Sequence, residues 1–449
     1  MTLNAALKIG PGVRTGQGIS TLVLHDDVAE PICELDLQYS LLAPLRNRNS
    51  TALDLLVFAS SVYALDKSLS RDASMDGWTR AFSLTTPVSD QSAWRSARPD
   101  LVDCLQFLTG DNWAFEFTPH SSQLLRTGRA PGRRRSAATI QVGGDTVCLF
   151  SGGLDSLVGA IDLLEGGAAR ILLVGHHDGD MGGPFGDQRA LLERLRAAYP
   201  RRISSVLVRV GQLGGSAEIT LRGRSLLFIA LGAFAANALG STVPVVIPEN
   251  GTIALNVPLT PSRRGSCSTR TAHPAYLRKL SCALERLGLH NPILNPLSMK
   301  TKGEVVAQCL NQQLLREIVS LSVSCAKRSH RRDWIRRGAK SCGRCMPCIY
   351  RRSALHTIGL DTEVYGINIC AGEVDVDGDD EGGSDLRAYL SFLRRTPSPG
   401  DISNTLLASG PLDIRQLSAY ADVIVRAMGE IRSLLQDKGI AKVRRAAGL

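Results

Sequence analysis

From residue 145 to residue 247 the sequence alternates short apolar runs with longer helix-patterned ones, a rhythm that few folds accommodate. Residues 147–150, 171–175, 203–210 and 243–247 read as strands. Between them, residues 155–164, 188–198 and 225–239 carry apolar side chains at helical spacing. Strands that alternate with helices in this way form a parallel sheet covered by helices. Ligands of such sheets bind at the carboxyl ends of the strands, near the point where strand order reverses. The first strand ends in Ser151-Gly152-Gly153-Leu154-Asp155-Ser156, and the helix follows at once.

Glycine permits backbone conformations that turn several N–H groups toward one spot, and a helix N-terminus favours an anion there. Ser151 and Ser156 add hydroxyl donors. Asp155 has two readings: it caps the helix of an ordinary strand-to-helix turn, or it holds a Mg²⁺ ion that neutralises phosphates. The complete string between strand and helix favours the phosphate-binding reading.

A second concentration of chemistry lies downstream. The chain has 11 cysteines. Cys33, Cys104, Cys148, Cys267, Cys282 and Cys309 stand singly and read as small core residues, and Cys370 can be read likewise. Cys342, Cys345 and Cys348 form C-x₂-C-x₂-C, with Cys325 upstream. Four thiolates suit a closed tetrahedral Zn²⁺ site, and an iron–sulfur cluster is the competitor. His330 is an alternative to Cys325 as the fourth ligand.

In its setting, SGGLDS resembles the signature of the ATP pyrophosphatases that share the PP-loop. Asparagine, NAD and GMP synthetases, tRNA thiolases and 7-cyano-7-deazaguanine synthase (QueC) are among them. The run CGRCMPCIYRRSAL at 342–355 is similar to the cysteine segment of the QueC family. Arg222, Gly223, Arg224 and Ser225 resemble its ATP-site element. Pro248, Glu249, Asn250 and Gly251 stand where it places base-binding residues, and Lys300, Lys302 and Glu304 resemble a further segment. Two stretches depart from it. GHHDGDMGGPFGDQR at 175–189 replaces an aspartate-tyrosine-glycine-glutamine run; adjacent histidines on a loop read as polar surface, unless His176, His177 and Asp178 reach substrate or metal. The Arg-, Ser- and Thr-rich stretch 255–274 looks instead like the QueC-like proteins of bacterial anti-phage operons, the Qat type, which also carry a long N-terminal extension.

The resemblance implies an α/β fold. Its core is a parallel five-stranded sheet of the adenine nucleotide alpha-hydrolase (HUP-like) type covered by helices, with a zinc-binding segment, an N-terminal extension domain and a helical C-terminal tail. It implies that Ser151, Gly152, Gly153, Leu154, Asp155, Ser156 and Arg224 bind ATP with Mg²⁺, and that Asp155, Ser156 and Lys300 act in catalysis. Glu249, Asn250 and Arg270 would contact substrate, and Cys325, Cys342, Cys345 and Cys348 would bind Zn²⁺. The implied reaction is a C–N bond-forming ligation that splits ATP into AMP and pyrophosphate. It activates the carboxylate of 7-carboxy-7-deazaguanine or a close analogue for capture by an amine. The amine is ammonia, or a protein amine on a partner encoded in the same operon.

At 449 residues the chain exceeds one ordinary core. We divide it into an N-terminal extension at 1–142, read as a partner-docking domain, the PP-loop domain at 143–370, and a C-terminal part at 371–449. The extension holds a strand at 19–24, a helix at 52–68 and an arginine-rich linker at 126–135. Residues 371–385 carry seven acidic side chains and read as a solvated connector before a helix at 414–435. No run of ~18 apolar residues suggests a membrane span, and no secretory signal is evident, so a cytoplasmic location is expected. The net charge of +10 suits anionic ligands. It leaves two other readings open: a tRNA or DNA base modifier, with nucleic acid the less favoured partner, and a non-catalytic subunit of a defence complex.

Overall fold

A computed structural model describes residues 2–8, 20–37, 45, 49–120, 143–178, 183–218, 220, 222–259, 270–327 and 337–449. The arginine-rich stretch 126–135, Cys267 and His330 lie outside the described residues. In chain order the strands are β1 (Thr2–Lys8), β2 (Ser20–His25), β3 (Pro31–Leu37), β4 (Ala81–Val88), β5 (Asn112–Pro119), β6 (Thr146–Leu149), β7 (Ile171–His177), β8 (Ile203–Leu213), β9 (Val245–Val246) and β10 (Ile293–Leu294). They form one ten-stranded sheet in the order β10-β9-β6-β7-β8-β3-β2-β1-β4-β5.

The sheet is therefore mixed and twice the expected width. From β10 to β8 neighbours run parallel, and so do β1, β4 and β5. Antiparallel pairing of β8 with β3, β3 with β2 and β2 with β1 joins the two parallel parts. The joint is possible because β8 runs on to Leu213, so that residues 210–213 pair with residues 34–37. Every residue of β7 is buried, as a strand covered on both faces requires, whereas β4 and β5 alternate between covered and open positions.

The helices are α1 (Ser50–Ser68), α2 (Gln91–Thr109), α3 (Leu154–Glu165), α4 (Pro184–Ala198), α5 (Arg222–Leu239), α6 (Gly251–Leu255), α7 (Pro274–Arg286), α8 (Lys302–Ala307), α9 (Gln312–Ile318), α10 (Met346–Thr357), α11 (Ser384–Arg395), α12 (Pro399–Ser409), α13 (Leu417–Lys438) and α14 (Ala441–Ala446). Helix α1 is apolar nearly all round, the pattern of a helix covered on every side. Its one hydrophobic cluster with the sheet, α2, α5 and α7 spans the N-terminal extension and the α/β region that follows it. Phe58 meets Trp94 edge-on at 5.3 Å and Phe115 at 5.0 Å. Helices α3 and α4 cover β6 and β7 on the other side through a separate cluster.

A buried ionic network reinforces the first of these contacts. Arg80, fully inaccessible, donates to Asp66 Oδ1 at 2.5 Å and to Asp111 Oδ2 at 2.7 Å. The second oxygen of Asp66 accepts from the backbone N–H of Gly223 at 2.8 Å and from the Thr220 hydroxyl at 3.0 Å. An acid of the N-terminal extension thus satisfies an orphan N–H in the first turn of α5.

The C-terminal part is more than a tail. Helices α11 to α14 build their own apolar core, which takes in Ile349 and Tyr350 of α10. The acidic residues after Cys370 are not a free connector. Asp380 accepts from Arg387 at 2.9 Å, Asp377 pairs with Lys442 at 3.0 Å, and Asp385 accepts the Met346 N–H at 2.8 Å. Basic residues of α11 and α14 supply the counter-charge that the local sequence lacks.

Candidate functional site

Strand β6 lies between β7 and β9, and the chain winds from β6 to β8 in one direction before crossing to β9 and β10 in the other. The strand order reverses beside β6, and a crevice opens at its carboxyl end. SGGLDS forms the floor of that crevice. Gly152 has φ +83, in the left-handed region, and a Cβ on it would lie 3.2 Å from Gln188 Cγ. Gly153 is the N-cap of α3 and offers no side chain to its N–H groups, which leaves first-turn donors for a ligand. Ser151 Oγ lies 3.2 Å from Ser156 Oγ and accepts the Gly153 N–H at 3.2 Å. Ser156 Oγ also donates to the Gly153 carbonyl at 3.0 Å.

Asp155 does not cap the helix. Both of its oxygens lie 2.7 Å from Lys302 Nζ, and Oδ2 also accepts from Asn250 Nδ2 at 2.7 Å. Lys302 opens α8 just after Thr301, whose hydroxyl and Glu304 form a capping box. The lysine beside the loop is thus Lys302, and not Lys300. Lys300 precedes the cap and lies toward Asp162, whose carboxyl it acts to lower against the upward push of burial.

Asn250 caps α6, accepting the Ile253 N–H at 3.1 Å, and holds Asp155 with its other end. Glu249 lines the cavity beside it. Burial, followed by the charge of Asp155, pushes the Glu249 carboxyl well above the usual range and favours its neutral form.

Arg224, in the first turn of α5, donates through Nε to His176 Nδ1 at 3.1 Å and through Nη2 to the His176 carbonyl at 3.3 Å. His176 Nε2 lies 3.0 Å from the Val210 carbonyl, which can only accept, so the proton sits on Nε2 and Nδ1 serves Arg224. Burial first and Arg224 second push this imidazole down to about 3, so it is neutral. His176 and His177 are buried ends of β7, not polar loop surface.

Arg270 is placed elsewhere. Its Nη1 donates to the Phe107 carbonyl at 2.6 Å and its guanidinium lies 4.4 Å from the Phe107 ring. The last turn of α2 is the cationic sink that holds it there, off the cavity. Two residues with no sequence signal complete the loop: the Val323 N–H binds the Gly152 carbonyl at 3.0 Å, and Ser324 Oγ accepts the Leu154 N–H at 3.2 Å.

These groups surround a cavity of about 550 Å³, lined among others by Ser151, Asp155, Arg224, Glu249, Lys302 and Ser324. A smaller space of about 200 Å³ adjoins it between Arg224, Phe228 and Thr271.

Cys325 also lines the larger cavity, and it belongs to the cysteine cluster. The sulfurs of Cys325, Cys342, Cys345 and Cys348 all lie within 4.8 Å of one another. Tetrahedral Zn–S bonds of about 2.3 Å would set sulfurs about 3.8 Å apart. Cys342 and Cys348 lie at 3.8 Å, and Cys345 and Cys348 at 3.3 Å. Gly343, at φ +81, makes the turn between ligands, where a Cβ would lie 2.1 Å from the Ile367 carbonyl. Backbone N–H groups of Cys342 and Cys345 point at the sulfurs of Cys325 and Cys342, at 3.4 and 3.3 Å. Hydrogen bonds from the other three thiols push Cys342 well below the ordinary thiol range. The four cysteines can hold a metal ion such as zinc. Of the cysteines read as core, Cys282 is exposed.

The chain matches none of the family models, curated proteins or solved structures with which it was compared. Among the described residues no helix is long and apolar enough to cross a membrane.

Proposed function

We propose that this chain is an ATP-dependent ligase that cleaves ATP between the α- and β-phosphates to activate a carboxylate. The observation that carries the reading is the SGGLDS loop at the strand-order reversal, facing a cavity that also holds Asp155, Lys302, Glu249 and Arg224. Pyrophosphate would rest on the first-turn N–H groups of α3 and the hydroxyls of Ser151 and Ser156. Arg224, bonded to a neutral imidazole, keeps its charge for a phosphate. Asp155 and Glu249 would hold Mg²⁺, which supplies neutralisation of the phosphates. A substrate carboxylate oxygen attacks the α-phosphorus, the bond to the bridging oxygen breaks, and pyrophosphate leaves. An amine then takes the acyl group from AMP and loses a proton.

Resemblance to the QueC family, and within it to the anti-phage type, supports 7-carboxy-7-deazaguanine or a close analogue as the carboxylate. It also supports ammonia or a partner's amine as the acceptor. The cysteine cluster at the cavity edge is compatible with this reading, since a zinc-bound segment there would fix Ser324 and Cys325 against the loop. Incubation with ATP, Mg²⁺ and 7-carboxy-7-deazaguanine should release AMP and pyrophosphate in equal amounts. Release of ADP and phosphate, or of nothing, would overturn the proposal.

A further inference from the structure

The geometry points to Tyr63 and Lys67, on helix α1 of the N-terminal extension, as positioning residues that hold Asp178 off Arg224 and so keep the anion site open. The inference rests on the nucleotide reading of the Arg224 cavity and adds to it residues from outside the PP-loop region.

Asp178 follows β7 and lines the same cavity as Arg224, with 43% of its side chain exposed. Such a carboxylate beside an arginine ordinarily closes on it as a bidentate pair. Here it does not. Asp178 Oδ2 accepts from Tyr63 OH at 3.3 Å and pairs with Lys67 Nζ at 3.7 Å. Lys67 Nζ in turn donates to Tyr63 OH at 3.1 Å, so the phenol relays the lysine toward the carboxylate. Among the described residues no carboxylate pairs with Arg224, which instead donates to the neutral ring and the carbonyl of His176. Arg224 is nonetheless near. Burial acts to raise the Asp178 carboxyl, but Arg224 and then Lys67 outweigh it and leave it lowered. Asp178 therefore stands between two cations, and the α1 lysine decides which one it binds.

Helix α1 is well fixed for this task. Tyr63 is buried edge-on against His176 at 5.7 Å, and the Asp66 carboxylate three residues on binds the Gly223 N–H beside Arg224. Asp66 and Lys67 follow Tyr63 by three and four residues, so both share its face of the helix.

Lys67→Met keeps the aliphatic stem and removes the charge. It should free Asp178 to pair with Arg224 and lower the affinity for Mg²⁺-α,β-methylene-ATP, read by calorimetry, by about fivefold or more. Adding Asp178→Asn removes the competitor, and the Lys67→Met/Asp178→Asn protein should bind within about twofold of wild type. A purely structural role for Lys67 would not be rescued in this way. Phenylglyoxal labelling of Arg224, located by peptide mass spectrometry, reads the same contact without nucleotide: slowed by Lys67→Met, restored in the double variant. Unchanged labelling in Lys67→Met, or a double variant as slow as the single one, overturns the inference. If labelling follows this pattern across the variants but the wild-type protein binds no nucleotide, the nucleotide reading is overturned and the positioning role stands.

Discussion

Lys302 Nζ sits 2.7 Å from each carboxylate oxygen of Asp155, and both side chains are almost wholly buried. A buried pair of this kind is costly to break from one side, because the Asp155 carboxylate would lose its counter-charge and keep only the neutral Asn250 amide. Lys302→Met should destabilise the protein by about 3–5 kcal/mol and lower pyrophosphate release by about 10²-fold or more. Lys300→Met should do neither. Thermal unfolding and product release measured on both variants check the assignment, and equal effects would refute it.

The cysteine cluster predicts one tightly bound metal per chain. Cys345→Ser or Cys348→Ser should lose the metal, lower the unfolding temperature and weaken ATP-dependent activity together, because Cys325 and Ser324 belong to the loop that touches Leu154. Elemental analysis with a visible absorption spectrum separates the chemistries: colourless protein with zinc, coloured protein with an iron–sulfur cluster. Metal-free wild type with an unchanged unfolding temperature would refute a structural metal.

Glu430 of α13 accepts the Gly303 N–H at 3.1 Å and the Thr301 hydroxyl, and its carboxyl is raised to about 7, mainly by burial. A folded-state pKa above the unfolded value makes its contribution largest below about 4.5 and lost as pH rises through about 7. Glu430→Gln should therefore stabilise the protein by about 1–2 kcal/mol at pH 8 and have little effect near pH 4.5. Denaturant melts across that range give the test, and a pH-independent difference would contradict it.

The N-terminal extension shares one hydrophobic cluster with α5 and β8, so a chain beginning at residue 143 should not fold alone. Removing α1, whose buried side chains share this cluster with α5, would uncover an apolar patch well beyond what soluble monomers expose. Circular dichroism and solubility of the truncated chain decide this. A soluble, cooperatively melting fragment would show the extension to be an independent domain.

The alternation of strand and helix from residue 145 to residue 247 was readable because its signals are local. Strand, glycines and helix follow one another within a dozen residues, and an apolar face at helical period marks α3 and α4. Strand β5, where covered Trp113, Phe115 and Phe117 alternate with open positions, was not among the elements read from the sequence. A strand's neighbours depend on which edge is vacant after the rest has folded, and β8 offers its edge only through the extra residues to Leu213. The connector at 371–385 shows the same limit: acids such as Asp377 and Asp380, unpaired by their immediate neighbours, find Lys442 and Arg387 in the fold.

What the sequence by itself determined is the chemistry of each local group: a glycine turn that presents N–H donors, and a run of thiols spaced to share one ion. Only the tertiary structure decided which residues meet. It chose Lys302 over Lys300 for Asp155, brought Asn250 from 95 residues away, and set α1 of the extension beside Arg224. The reason is physical. Backbone conformation follows from neighbours along the chain, whereas a charge buried in a crevice takes whatever partner the packing of distant elements brings within hydrogen-bond reach.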